Sequence, residues 1–167
     1  FIPAAPARNE YRTNLDIAAL DKAAEIINAA QRPVIYYGGG VSASDAGDLL
    51  HVLMHKACIP GAYTLIGAGV VSSDDPLCLG MVGMHGTRTS NVAFDRADVM
   101  IAVGTRFSDR VALAPDEFGR RAKLIQIDID PSEVNKNVLV DISLIGDVKE
   151  IIQALLPRIN TAKHTDW

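Results

Sequence analysis

Only two cysteines, Cys58 and Cys78, occur in the 167 residues, twenty positions apart. Neither sits in a Cys/His set with zinc-finger spacing, so a structural zinc centre is not expected, and two reduced thiols are favoured over a disulfide. Basic charge is also scarce: 16 Lys and Arg stand against 20 Asp and Glu, for a net charge of −4. A phosphate-backbone binder needs a clustered basic excess, so nucleic acid is excluded as the expected partner. Long apolar runs are missing too. Val99 to Val103 and Ile151 to Leu156 fall far short of the roughly 20 residues that cross a bilayer, and no basic-then-apolar leader opens the chain. A soluble, cytoplasmic protein without a membrane partner is expected. An initiator methionine is absent as well; the chain opens FIPAAPARNEYRTN, which reads as a linker over 1–14 arriving from an upstream domain.

What is present is apolar content. At 49% hydrophobic, a chain of this length forms one domain that buries roughly 70% of its unfolded surface. Residues 15–159 read as that domain, and 160–167 as a tail or the start of another linker. There is no internal repeat.

Thr13 or Asn14 can cap a helix whose apolar face is Leu20, Ala23, Ala24, Ile27 and Ala30, ending before Arg32-Pro33. Val34 to Tyr37 is a short buried strand running into Gly38-Gly39-Gly40. Ser42 or Ser44 is the expected cap of a second helix, with the stripe Ala46, Leu49, Leu50, Leu53, Met54 and Ala57. A weak strand follows at 61–64, and then a long loop over 65–87. Within that loop LGMVGMHGT, at 79–87, looks too glycine-rich for regular structure. A helix is expected over 90–96. Strands are expected at 99–103, at 123–127 and within 138–145, before a final helix opened by Asp147 with Glu150 three residues on. Strands and helices alternate throughout, and the strands are apolar on both faces. Both features predict an α/β fold: a doubly wound, mainly parallel sheet with helices on both faces.

In such a sheet a ligand sits beyond the carboxyl ends of the strands. The residues there are glycine, hydroxyl, arginine and carboxylate. Gly38 to Ala43 satisfies G-x-G-x-x-A between a strand and a helix, where bare backbone admits a pyrophosphate; a tight turn explains the same pattern equally well. The acid that a nicotinamide-binding unit needs about 20 residues on is missing from IPGAYTLIG, at 59–67, which disfavours an ordinary NAD dehydrogenase. Asp128 ends a strand where a carboxylate can accept both ribose hydroxyls. Asp130 and Asp147 are explained by turn formation and helix capping. Arg106, two residues past a strand end, can grip phosphate or stack on a ring. Met81, Met84 and His85 fit equally a lid over the core or, because glycines let backbone approach a planar ring, the bed of a flavin.

These segments together carry a resemblance. RPVIYYGGGV, LGMVGMHGT, ADVMIAVGTRFSDRV, IDIDPSEVNKN and GDVKE, in this order from about Leu15 to Leu156, resemble the central domain of the acetohydroxyacid synthase (acetolactate synthase) family. Those enzymes use thiamine diphosphate with Mg2+ to condense pyruvate with pyruvate or 2-oxobutanoate in branched-chain amino-acid synthesis. The resemblance implies a Rossmann-like domain holding FAD in extended form. Gly38, Gly39 and Gly40 match contacts near the diphosphate and sugar, and Thr64, Leu65 and Ile66 match a second contact segment. Val82, Gly83, Met84 and His85 match the loop against the flavin. Gly104, Thr105, Arg106, Ser108, Arg110 and Val111 match the next loop, and Asp128, Ile129, Asp147 and Val148 match the adenosine end. Arg110 aligns with an arginine at the active-site mouth that helps select the second 2-oxoacid. Ser108 stands where the family commonly has aspartate, and Ile66 where it commonly has methionine.

The family's thiamine-activating glutamate belongs to an upstream domain and its magnesium-binding G-D-G motif to a downstream one; no G-D-G occurs here. The resemblance therefore implies a non-catalytic piece whose partners are the flanking domains of the same polypeptide, a second copy in a homodimer or tetramer, and a regulatory small subunit. Rival readings are the central domain of glyoxylate carboligase, pyruvate oxidase or a decarboxylase, and an electron-transfer flavoprotein module. A sirtuin-like layout is disfavoured by the missing zinc cysteines.

Overall fold

The computed structural model describes residues 14–107, 121–162 and 167. Among the described residues five α-helices and six strands follow one another along the chain: α1 (Ile17–Ala29), β1 (Pro33–Tyr37), α2 (Gly39–Ala43), α3 (Gly47–Ala57), β2 (Gly61–Tyr63), β3 (Cys78–Met81), α4 (Arg88–Arg96), β4 (Val99–Val103), β5 (Lys123–Asp128), β6 (Ile142–Ile145) and α5 (Val148–Leu155). All strand pairs are parallel and form one sheet in the order β3-β2-β1-β4-β5-β6. The chain therefore winds outward from β1 in one direction and, after β4, outward in the other. This is the doubly wound topology, with its switch between β1 and β4.

Alternation within each buried strand divides the core in two. Ile35, Tyr37, Ile101, Val103, Ile125 and Ile127 face α1, α3 and α5, whose stripes contribute Leu20, Ala23, Ile27, Leu50, Leu53, Met54, Ile151, Ile152 and Leu155. Val34, Tyr36, Met100, Ala102 and Leu124 point the other way, against Phe94 of α4, Phe107 and Val138. Burying each large aliphatic side chain contributes roughly 1.5–3 kcal/mol, so no strand can slip by one residue without exchanging one core for the other. Asp98 pins the register at the sheet's centre: its carboxylate accepts from the Gln31 and Arg32 amides, both at 2.8 Å, and so sets the start of β1 beside β4.

Most expected elements appear, and three boundaries are corrected. The cap of α1 is Asp16, whose carboxylate accepts from the Ala19 amide at 3.0 Å, in place of Thr13 or Asn14. The expected second helix is two helices. A five-residue α2 begins inside the glycine run, Ser42 lies within it, Ser44 closes it, and α3 starts after Ala46 without a side-chain cap. The glycine-rich stretch at 79–87 does hold a strand, because Leu79 to Met81 belong to β3 at the sheet edge. Gly80 there adopts φ +88, and a Cβ would meet Thr87 Cγ2 at 2.8 Å, so glycine is what lets the edge strand lie against the start of α4. Cys58 and Cys78 are both free thiols. Among the described residues no helix is long and apolar enough to cross a membrane.

Candidate functional site

The sheet order sets the order of the loops along the carboxyl edge. Read across the sheet, they are 82–87 after β3, 64–67 after β2, Gly38-Gly39 after β1, 104–107 after β4, Asp128-Ile129 after β5 and Gly146-Asp147 after β6. Six strands at about 4.8 Å spacing spread these loops over roughly 24 Å. Ser108, Arg110 and Val111 lie outside the described residues.

At one end of this row the surface is apolar. Leu65 is 70% exposed, Ile66 74% and Met84 58%. Three large side chains left in water on two adjacent loops cost hydration free energy that a covering group would recover. Each loop is nonetheless firmly built. The Thr64 hydroxyl accepts from the Gly67 amide at 3.1 Å, closing a 3-10 turn over Leu65–Gly67. The 82–87 loop is gripped by the start of α4. Thr87 caps that helix by accepting from the Ser90 amide, and the fully buried Ser90 hydroxyl donates to the Met81 carbonyl at 2.6 Å. Asn91 brackets Gly83, accepting from its amide at 2.9 Å and donating to its carbonyl at 3.1 Å. His85 is exposed beside Met84, whereas Val82 turns inward to the Tyr36 and Phe94 core, so the apolar surface comes from Met84 and not from Val82.

The glycines at the switch point have an internal reason. The Gly38 amide donates to the Val103 carbonyl at 3.1 Å and the Gly40 amide to the Gly104 carbonyl at 2.9 Å. A Cβ on Gly38 would meet Thr105 Cβ at 2.7 Å, and one on Gly40 would meet Gly104 Cα at 2.6 Å. The bare faces of Gly38 and Gly40 are thus filled by the end of β4, and their N–H groups are engaged within the protein. Gly39 differs: a Cβ there meets only the exposed Ile66 side chain, at 2.6 Å. Beyond β4 the burial alternates. Thr105 and Phe107 turn inward while Arg106 is exposed, with no ion pair among the described residues.

At the other end stand two carboxylates of different character. Asp128 is half-buried, and burial pushes its pKa above the usual carboxylate value despite the hydrogen bond from the Asp130 amide at 3.0 Å. Asp130 itself caps the turn at Pro131 by accepting from the Ser132 amide, as its sequence position predicts. Asp147 caps α5 and accepts from the Lys149 and Glu150 amides at 2.9 and 3.3 Å, while Val148 packs into the core. Ile129 is exposed next to Asp128.

These features fit an extended dinucleotide carrying a planar ring: an exposed apolar bed, a central arginine, and an acid already partly dehydrated at the far end. The expected contacts Gly38, Gly40, Val82, Thr105 and Val148 present their side chains or bare faces to the protein interior, so only their remaining backbone could face a ligand. Neither the Ser90 and Asn91 supports nor the pair His51 and His55 on α3 stands out in the sequence analysis above. The signals were available, a hydroxyl three residues after a capping threonine and two histidines four apart.

Compared with known proteins, residues 20–155 match the family model described as thiamine pyrophosphate enzyme, central domain. The chain is 44% identical over 147 residues to a probable acetolactate synthase large subunit from Methanococcus aeolicus, covering 88% of this chain and 24% of that protein. It is 49% identical over 137 residues to a protein of the same name from Methanocaldococcus jannaschii, covering 82% and 23%. It is also 43% identical over 151 residues to acetolactate synthase 1, chloroplastic, from Oryza sativa subsp. japonica, covering 89% and 23%. The chain thus spans about a quarter of the length of these relatives. With the family model matched over all six strands of the doubly wound sheet, the chain belongs to the thiamine pyrophosphate enzyme central-domain family.

Proposed function

We propose that this chain is the central domain of an acetolactate synthase large subunit and that its carboxyl edge holds FAD. The observation that carries the reading is the order of the loops: an exposed apolar bed at β3 and β2, Gly39 and Arg106 at the switch between β1 and β4, and half-buried Asp128 beyond β5. That sequence of surfaces suits an extended flavin dinucleotide. The isoalloxazine ring would lie toward Leu65, Ile66 and Met84, the diphosphate near Gly39 and Arg106, and the adenosine ribose and ring toward Asp128, Ile129 and Asp147. When bound, FAD would supply a large planar group over the surface formed by Leu65, Ile66 and Met84; in this reading it exchanges no electrons in the condensation.

In the whole polypeptide, flanking domains would bring thiamine diphosphate and Mg2+, and the product would be 2-acetolactate or 2-aceto-2-hydroxybutanoate. Arg110 is the residue we assign to selecting the second 2-oxoacid. The piece alone carries no catalysis.

The test is the visible spectrum of the chain after incubation with FAD and desalting. A retained, shifted flavin band in the parent, reduced in Arg106→Ala at unchanged circular dichroism, is the expected outcome. A folded chain that retains no flavin even when expressed with its flanking domains would overturn the cofactor assignment.

A further inference from the structure

The edge of the sheet opposite the candidate cofactor site holds a second group of side chains for which the proposed function has no use. His51 and His55 lie one turn apart on α3, with ring centroids 4.3 Å from each other. Both aim Nε2 at one oxygen, Oδ2 of Asp75, at 2.9 and 2.8 Å. Asp75 belongs to the segment just before β3, and its carbonyl accepts from the Cys78 amide that opens this strand. The three ligand atoms lie within 4.8 Å of one another.

We propose that His51, His55 and Asp75 form a binding site for a divalent transition-metal ion of borderline softness, Zn2+ being the representative. Two imidazole nitrogens and one carboxylate oxygen are the donor set that such ions prefer over Ca2+ or Mg2+, which favour all-oxygen cages. Two histidines four apart on one helix present their Nε2 atoms to the same point in space, the geometry used by helical two-histidine metal sites. For tetrahedral bonds of about 2.1 Å the donor atoms should stand roughly 3.4 Å apart. The observed 2.8 and 2.9 Å His–Asp separations would open by about half an ångström, and the two Nε2 atoms, within 4.8 Å of each other, would settle to the same spacing, movements within reach of two exposed imidazoles.

The carboxylate is already oriented for the task. Its Oδ1 accepts from the Leu77 amide at 2.8 Å, which leaves Oδ2 turned to the histidines. The Asp75 side chain is only 7% exposed, against 51% and 42% for His51 and His55. A fixed carboxylate largely withdrawn from solvent, facing two accessible imidazoles, leaves the outer coordination position to water. The bound ion would clip α3 to the segment that starts the edge strand, stabilising the sheet margin at the amino end of β3, opposite the loop that follows it at the carboxyl end.

The test uses the chain without a polyhistidine tag, dialysed against Zn2+ and, separately, Co2+. One equivalent of Zn2+ per chain and visible tetrahedral Co2+ bands are expected, with affinity falling at least about tenfold in each of His51→Gln, His55→Gln and Asp75→Asn. Failure of the parent to take up either ion would overturn the site, as would uptake by His51→Gln and His55→Gln equal to that of the parent. These two substitutions are at exposed positions, so folding is preserved in the variants that decide the question. FAD retention should be the same with and without Zn2+, which separates failure here from failure of the cofactor assignment.

Discussion

The Gly40 amide donates to the Gly104 carbonyl at 2.9 Å, and the two residues approach so closely that a Cβ built on either would meet the other's Cα at 2.6 to 2.7 Å. The turns after β1 and β4, the two strands at the switch point, therefore pack backbone against backbone. The distance between the two halves of the doubly wound sheet at its carboxyl edge is set here, and with it the spacing between Gly39 and Arg106.

Gly104→Ala should consequently destabilise the fold by roughly 2–4 kcal/mol, since φ +55 is strained for alanine and the methyl group has no room. Gly69→Ala supplies the contrast. Gly69 also has a positive φ, +87, yet nothing lies within 4 Å of its Cβ position, so that change should cost only about 1 kcal/mol of backbone strain. Urea denaturation of the two variants gives the comparison. If Gly104→Ala were no worse than Gly69→Ala, close packing would not be the reason for glycine at this position.

Ser90 controls the loop below the apolar bed. Its hydroxyl is fully buried, 2.6 Å from the Met81 carbonyl and 3.0 Å from Thr87 Oγ1. Ser90→Ala removes one of the two donors to the Met81 carbonyl, which keeps the Thr87 amide at 2.8 Å, and removes an acceptor of the Thr87 hydroxyl, at a cost of about 0.5–1.5 kcal/mol. Hydrogen exchange should quicken at the Gly86 and Thr87 amides, which bond back to Gly83 and Met81, while the amides of β4 and β5 are slowed as before relative to global unfolding. Exchange quickened evenly through the sheet would show that Ser90 supports the whole domain and not this loop.

Much of this was legible in the sequence. Val99 to Val103 declares a buried parallel strand by being apolar at every position, and Asp147 with Glu150 marks the start of α5 to the residue. The positions of the carboxyl-edge residues were legible because the apolar runs mark where the strands end, whereas glycine, hydroxyl and acid there are also ordinary turn and cap residues and do not by themselves tell a ligand contact from a turn. Three things were not. Cys78 to Met81 becomes a strand only because β2 offers it a partner, a tertiary cause that local glycine content conceals. The inward turn of Val82 depends on the Tyr36 and Phe94 pocket, which no local pattern announces. Whether Gly38 and Gly40 face a ligand or the protein depends on where β4 ends relative to β1, and the G-x-G-x-x-A pattern reads the same in both cases.

If Asp128 holds a ribose as proposed, it joins stability to binding in opposite senses. Burial raises its pKa in the folded chain above the value of about 3.9 expected for the unfolded one. Below the unfolded pKa the carboxyl is neutral in both states and its burial costs little. As the pH rises through the unfolded and then the folded value, the unfolded chain ionises more readily, and stability is lost. At neutral pH the ionised Asp128 is therefore a net burden on the fold. Asp128→Asn keeps an oxygen to accept from the Asp130 amide and removes the charge, so it should raise the melting temperature at pH 7 and have little effect near pH 3. The same change removes one of the two acceptors that a ribose diol would use, so flavin retention should fall. A variant that melts higher and also keeps its FAD would detach Asp128 from the binding edge; one that melts lower at neutral pH would mean that the charge is compensated by partners and the burial argument fails.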